Sequence, residues 1–189
     1  MFARFLAGGA CAVALLGVVC ATPAAAHPYD QYARGRSFFA TLFGPSTARV
    51  LVSYPSNQKP GTIVISTAQR RLYLVLGNGQ ALSYAIAVGK AGYAWSGVSQ
   101  VTDKREWPDW TPPEQMLQRR PDLPRHMAGG PDNPMGARAI YLGASLYRIH
   151  GSNEPDKIGQ AVSSGCIRLT NEDVIDLYRV RIGATVIVQ

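Results

Sequence analysis

The stretch Pro60-Gly-Thr-Ile-Val-Ile-Ser-Thr-Ala-Gln-Arg-Arg-Leu-Tyr-Leu-Val-Leu-Gly-Asn-Gly-Gln-Ala-Leu-Ser-Tyr-Ala-Ile-Ala-Val88 decides the fold. Thr62–Ile65 is β-branched throughout. Arg71–Leu76 is a short, nearly continuous apolar run, and Gln80–Val88 is a second, mainly apolar one. Runs of this length and composition read as strands. Gly77-Asn78-Gly79 lies between the last two. Asn-Gly tolerates the positive φ that a tight turn needs at both central residues, so the spacing predicts a β-hairpin.

Further strands extend the pattern in both directions. Arg49–Tyr54 reads as a first strand within an otherwise irregular lead-in, residues 27–59, where Phe38–Phe39 and Leu42–Phe43 suit one helical turn. Beyond the hairpin, Gly89–Gly136 loses periodicity and carries Trp95, Trp107 and Trp110 among W-P-D-W-T-P-P, R-R-P-D-L-P and G-G-P-D-N-P. Glu114–Arg120 suits a short helix between prolines. Long loops in compact domains are usually functional or disordered, and three tryptophans argue against disorder. The segment therefore reads as an ordered lid or wall, with Trp107 and Trp110 as wall candidates, against a plain structural insertion. Strands resume at Ala137–Leu142 and Ser145–His150. A helix follows, capped by Thr170 or Asn171, with Glu172 and Asp173 at its positive end and Val174, Leu177 and Tyr178 on its apolar face. Gly183 suits its stop and Ala184–Val188 a last strand. The class is mostly β, with a long Pro/Gly/Trp-rich loop and few short helices.

The chain has 189 residues, 47% hydrophobic and 16% charged, which is single-domain length with enough apolar mass for a core. Residues 1–26 stand apart from that domain. Arg4 precedes an apolar run from Phe5 to Val19, and Ala24-Ala25-Ala26 offers a small-residue cleavage site. This predicts a signal peptide and export to the periplasm or cell wall; a membrane anchor is the alternative, though the run is short for a span. Cleavage removes Cys11 and Cys20, leaving Cys166 alone in an oxidising compartment, and lowers the net charge by one from +7. The positive charge suits any anionic polymer, nucleic acid included; export and the absence of recognisable binding motifs argue against nucleic acid.

An unpaired cysteine is either a buried structural thiol or a reactive one, and its neighbours decide. Cys166 lies in S-S-G-C-I-R-L-T-N, sixteen residues after His150-Gly151-Ser152. A Cys–His pair can perform thiol acyl transfer: imidazole takes the proton, the thiolate attacks a carbonyl, and the imidazolium protonates the leaving amine. Such pairing predicts a thiol more acidic than a free one. Gly165 permits close approach to the sulfur, and consecutive amides around Gly165 and Cys166 could hold an oxyanion. A backbone-bonded histidine at a strand end is the plainer reading of His150. Among the His and Cys residues no metal-like spacing occurs, and the sequence calls for no cofactor. His126, within the long loop, reads as a surface or lid histidine.

His-Gly-Ser, a loop, then S-S-G-C-I-R-L-x-N resembles the signature of the L,D-transpeptidase catalytic domain, the YkuD-like family. P-G-T-I-V-I, R-R-L-Y-L-V, W-P-D-W-T-P-P, G-G-P-D-N-P-M-G and A-I-Y-L-G resemble further blocks of that domain, so the resemblance covers residues 60–189. It implies a fold of two mixed sheets, Cys166 as nucleophile, His150 as its base, and the Gly151 carbonyl as the group that orients the histidine. That leaves no need for Glu154 or Asp156, which read as soluble loop residues. Arg168 matches the signature arginine, implied to hold substrate or the active-site loop, with a structural salt bridge as the equal alternative. Ser164 stands where many members carry histidine, so Gly165 and the adjoining amides are the safer oxyanion candidates. Asn171 matches the signature asparagine, with helix capping as its plainer role. The resemblance further implies peptidoglycan tetrapeptide stems as acyl donors, loss of the terminal D-alanine through a thioester, and carbapenem-type inhibitors. The acceptor stays open between a stem-peptide amine, an amine-bearing wall protein and water, the last giving an L,D-carboxypeptidase. A non-catalytic peptidoglycan-binding module is the reading from another class.

Overall fold

A computed structural model describes residues 49–189. The signal-peptide reading of 1–26 and the helical turn expected near Phe38–Phe43 lie outside the described residues. Eleven strands form among them: β1 (Val50–Ser53), β2 (Ile63–Ser66), β3 (Arg71–Gly77), β4 (Gln80–Ala85), β5 (Val88–Gly89), β6 (Gly97–Glu106), β7 (Arg138–Leu142), β8 (Arg148–His150), β9 (Ala161–Ser163), β10 (Ile167–Arg168) and β11 (Thr185–Val188). Two short helices accompany them, α1 (Glu114–Arg119) and α2 (Asn171–Leu177), with a 3-10 turn at Pro155–Lys157.

The predicted hairpin is β3–β4, and its two-residue loop Asn78-Gly79 has positive φ at both positions, 52° and 70°. Nine strands lie in the order β1-β4-β3-β2-β11-β6-β7-β8-β10, and β5 pairs with β9 in a small parallel ribbon. The mixed character comes from two parallel pairs, β11 with β2 and β10 with β8, among antiparallel neighbours. The two expected mixed sheets share one strand. The first part of β6 pairs with β11 and the second with β7, with the partner change between Gln100 and Val101, just before a register shift between Val101 and Asp103. Ile63, Leu72 and Val186 from one part and Ile140, Ile149 and Ile167 from the other enter a common core.

Several boundaries differ from the sequence reading. Residues 97–106, expected within the loop, form β6, the longest strand. Its run Gly-Val-Ser-Gln-Val-Thr-Asp-Lys-Arg-Glu has almost no apolar face, because most of it is exposed and hydrogen bonding to two partners holds it. Gln80–Val88 breaks at Ile86–Ala87, whose backbone turns from β3 to Arg168 and Gly159. Thr170 caps α2 by accepting the Asp173 amide, and the helix ends at Tyr178 with φ −61°. Gly183, with φ +86°, belongs to the later turn into β11 and does not stop the helix. The lead-in also contributes to the sheet, since β1 forms its edge against β4. Arg49 reaches Glu172, Asp173 and Asp176 on α2 at 3.5–3.7 Å.

Candidate active site

The register of β8 and β10 builds the site. Ile149 faces Ile167, and His150 faces Arg168. Side chains alternate between faces along a strand, so both isoleucines turn into the core, where neither is more than 1% exposed. The same alternation puts Arg148, His150, Cys166 and Arg168 on the opposite face, with Cys166 level with Arg148.

Each member is fixed by backbone contacts. His150 is 4% exposed, and its Nδ1 lies 2.7 Å from the Gly151 carbonyl oxygen. A carbonyl only accepts, so Nδ1 carries the proton and a neutral ring keeps its lone pair on Nε2. Burial, and then the Arg168 and Arg148 charges, push the His150 pKa from 6.5 down to about 3. Asn171 secures the backbone here. Its Oδ1 accepts the amides of Ala137 at 2.9 Å and Ser152 at 3.2 Å, bracketing His150-Gly151. Gly136 and Gly151 are needed there, because a Cβ on either would fall 2.3 Å from that oxygen. Asn171 is thus a clamp, and capping is left to Thr170.

The loop that carries the thiol is equally bound. Ser163 Oγ accepts the Gly165 amide at 3.1 Å and donates to the Cys166 carbonyl at 2.6 Å. Trp95 Nε1 donates to the Gly165 carbonyl at 2.9 Å, and the indole stacks on Tyr147 at 4.4 Å between ring centroids. Gly165 has φ +112°, and a Cβ there would meet the Tyr147 ring at 2.7 Å. Cys166 Sγ is 3.8 Å from the Leu146 carbonyl.

Two expectations need correction. The thiol is not acidified: burial pushes its pKa up, and Arg148 and Arg168 offset this only in part. With His150 depressed as well, the resting pair is thiol and neutral imidazole rather than thiolate and imidazolium. The Gly165 amide is already engaged by Ser163 Oγ, which leaves the amides of exposed Ser164 and of Cys166 as oxyanion donors. The backbones of Trp107 and Trp110 are held at the end of β6 and within the long segment. Trp107 is 5% exposed at the end of β6, its amide on the Ala137 carbonyl and its own carbonyl against Gly129; Trp110 bridges Met127. The tryptophan against the nucleophile's loop is Trp95. Half-exposed Glu154 pairs with Arg168 at 3.4 Å, the salt-bridge alternative for that arginine. His126 is an exposed residue 3.3 Å from Asp109.

Sequence reasoning missed Arg148, Tyr147 and Ser163, and did not single out Trp95 among the three tryptophans of the long segment. Arg148 had a legible signal, since it precedes His150 by two on one strand and must share its face. The others are brought in by loop closure, which leaves no periodic trace.

Comparison with known proteins places the chain in one family. Residues 60–188 match the family model described as the L,D-transpeptidase catalytic domain. The chain is similar to the probable L,D-transpeptidase ErfK/SrfK of Escherichia coli, 41% identical over 61% of this chain and 39% of that protein. It therefore spans less than half the length of that relative. A Brucella melitensis structure described as a probable carnitine operon oxidoreductase is 42% identical over 77% of this chain and 95% of its own, with TM-score 0.53. L,D-transpeptidase 3 of Mycobacterium tuberculosis, solved with a faropenem-derived adduct, shares the fold at 21% identity and TM-score 0.53, over 68% of this chain and 59% of that one.

Proposed function

The chain belongs to the L,D-transpeptidase catalytic-domain family, and on that premise we propose that it is an exported cysteine acyltransferase of peptidoglycan. The donor is a tetrapeptide stem that loses its terminal D-alanine to form a thioester on Cys166, and the acceptor is an amine. The observation that carries this reading is the shared face of β8 and β10, which gathers the thiol and a neutral, carbonyl-oriented imidazole.

The resting protonation states give the order of events. Neutral His150 carries a lone pair on Nε2 and accepts the thiol proton as sulfur attacks the peptide carbonyl. A thiolate at this half-buried position is disfavoured before substrate arrives, so ionisation accompanies attack. The carbonyl oxygen then carries negative charge, for which the Ser164 and Cys166 amides are the nearby donors. The protonated ring passes its proton to the departing D-alanine nitrogen, leaving the thioester. An incoming amine loses a proton to the same ring, forms the new amide and releases the thiol.

The test is incubation of the mature protein with tetrapeptide muropeptides, followed by mass spectrometry. Cross-linked dimers are expected from the wild type and none from Cys166→Ser. Trimmed tripeptides alone would make water the acceptor, and unchanged substrate would point to a binding module. An added lipoprotein-type lysine peptide tests a protein acceptor. The oxidoreductase description of the Brucella relative predicts dependence on a redox cofactor. Product formed without any added cofactor would remove that reading.

A further inference from the structure

The site face carries more positive charge than the Cys–His chemistry uses. Arg148 and Arg168 flank a thiol and an imidazole that are both neutral at rest, so the cluster carries two full charges. Arg168 has a single, long ion pair with half-exposed Glu154, at 3.4 Å. Arg148 has no carboxylate partner among the described residues; its guanidinium lies 5.2 Å from the Tyr141 ring centroid. In both arginines Nε is shielded from solvent without a hydrogen-bond partner. A buried guanidinium donor left unmatched is costly, so a ligand that supplies the acceptor gains more than it would at an exposed lysine.

We propose that Arg148, with Arg168 beside it, binds the acyl donor's carboxylate next to the scissile bond, and so directs cleavage to donors whose leaving residue ends in a free carboxylate. The inference rests on the transpeptidase reading and deepens it. Its geometric basis is the register: Arg148 is level with Cys166, one strand away. In the donor, the leaving residue's carboxylate is joined to the scissile nitrogen through a single carbon. A carbonyl attacked by Cys166 therefore places that carboxylate close to the sulfur, where a neighbouring-strand guanidinium can meet it with two parallel hydrogen bonds. A side-chain carboxylate on the preceding residue is the other source of the same chemistry.

The experiment has two arms. Carbapenems carry a carboxylate on the carbon attached to the lactam nitrogen, the same connectivity as the leaving residue. Acylation of Cys166 is followed by mass spectrometry with a carbapenem and with its methyl ester. The wild type is expected to react roughly 10- to 100-fold faster with the free acid, the range for one charge-assisted interaction. Arg148→Leu is expected to level the two rates, and Arg148→Lys to recover part of the difference. Equal wild-type rates would overturn the proposal without recourse to any variant. So would full discrimination by Arg148→Leu, or a titratable thiol that neither compound labels. The second arm uses tetrapeptides amidated either at the terminal carboxylate or at the third residue's side chain. Loss confined to the terminal amide supports the leaving residue as the group bound; loss confined to the side-chain amide overturns that assignment. Should no tetrapeptide turn over while the carbapenem arm behaves as expected, the transpeptidase reading fails and the carboxylate site stands.

Discussion

His150 shows how one buried residue ties pH to both stability and chemistry. An unfolded histidine titrates near 6.5, whereas the folded ring resists protonation until about 3. Between those values the unfolded chain binds the extra proton, so stability is full above pH 6.5 and falls as the pH drops toward 3. The loss attributable to this residue is several kcal/mol, at roughly 1.4 kcal/mol per pH unit. Denaturant melts of wild type and His150→Gln across pH 4–8 check it. The variant's stability is expected to change less through that window, and parallel curves would contradict the account. The same depression keeps the base unprotonated through neutral pH, so carbapenem acylation is expected to show no acidic limb between pH 5 and 8. The raised thiol predicts that iodoacetamide labels native Cys166 more slowly at pH 8 than the unfolded protein. Labelling faster than in the unfolded chain would restore the preformed ion pair. His150→Ala and Cys166→Ser should each abolish cross-linking, with the double variant scarcely worse, as expected of residues acting as a unit.

At the scale of elements, α2 and the loop before β10 clamp the strand ends that carry the reactive groups. Asn171 Oδ1 serves two backbone amides on both sides of His150-Gly151, and Asn171→Ala would leave both unmatched. The expected cost is about 2 kcal/mol or more, against about 1 kcal/mol for Thr170→Ala, which removes only the cap. Thermal melts compare the two directly. Trp95 acts on the other side of the site through its hydrogen bond and its stack on Tyr147. Trp95→Phe keeps a ring but loses the donor to the Gly165 carbonyl, so acylation should slow by on the order of tenfold with the fold retained. The same substitution at Trp110, whose backbone bridges Met127, is expected to lower stability while leaving acylation intact. A matching loss of acylation at both positions would return Trp110 to the wall.

Across the whole molecule, β11 and β1 make opposite contributions. β11 lies between β2 and β6, with Val186 fully buried, and joins the first half of the sheet to the strand shared by both. Deleting 185–189 should abolish cooperative unfolding. β1 is an edge, and Val50 and Leu51 are 47% and 58% exposed. Removing residues 1–54 should therefore lower the melting temperature while leaving a folded domain that carbapenem still acylates. Deletions with equal effects would mean that the lead-in belongs to the core.

The sequence by itself determined what is local. β-Branched runs and Asn78-Gly79 specified β2 to β4, because strand alternation and positive φ are properties of neighbouring residues. His150, Cys166 and the residues around them carried the family resemblance in one motif. Only the tertiary structure decided how far apart in sequence a site could draw its parts. β6 escaped notice because its hydrogen bonds, rather than an apolar face, hold it. Trp95 and Tyr147 reach the loop that carries the thiol from distant parts of the chain, and Asn171 became a clamp because Gly136 and Gly151 let two backbones approach it. Protonation was decided there too: whether a histidine beside a cysteine is charged depends on how deeply both are buried and which cations share their face.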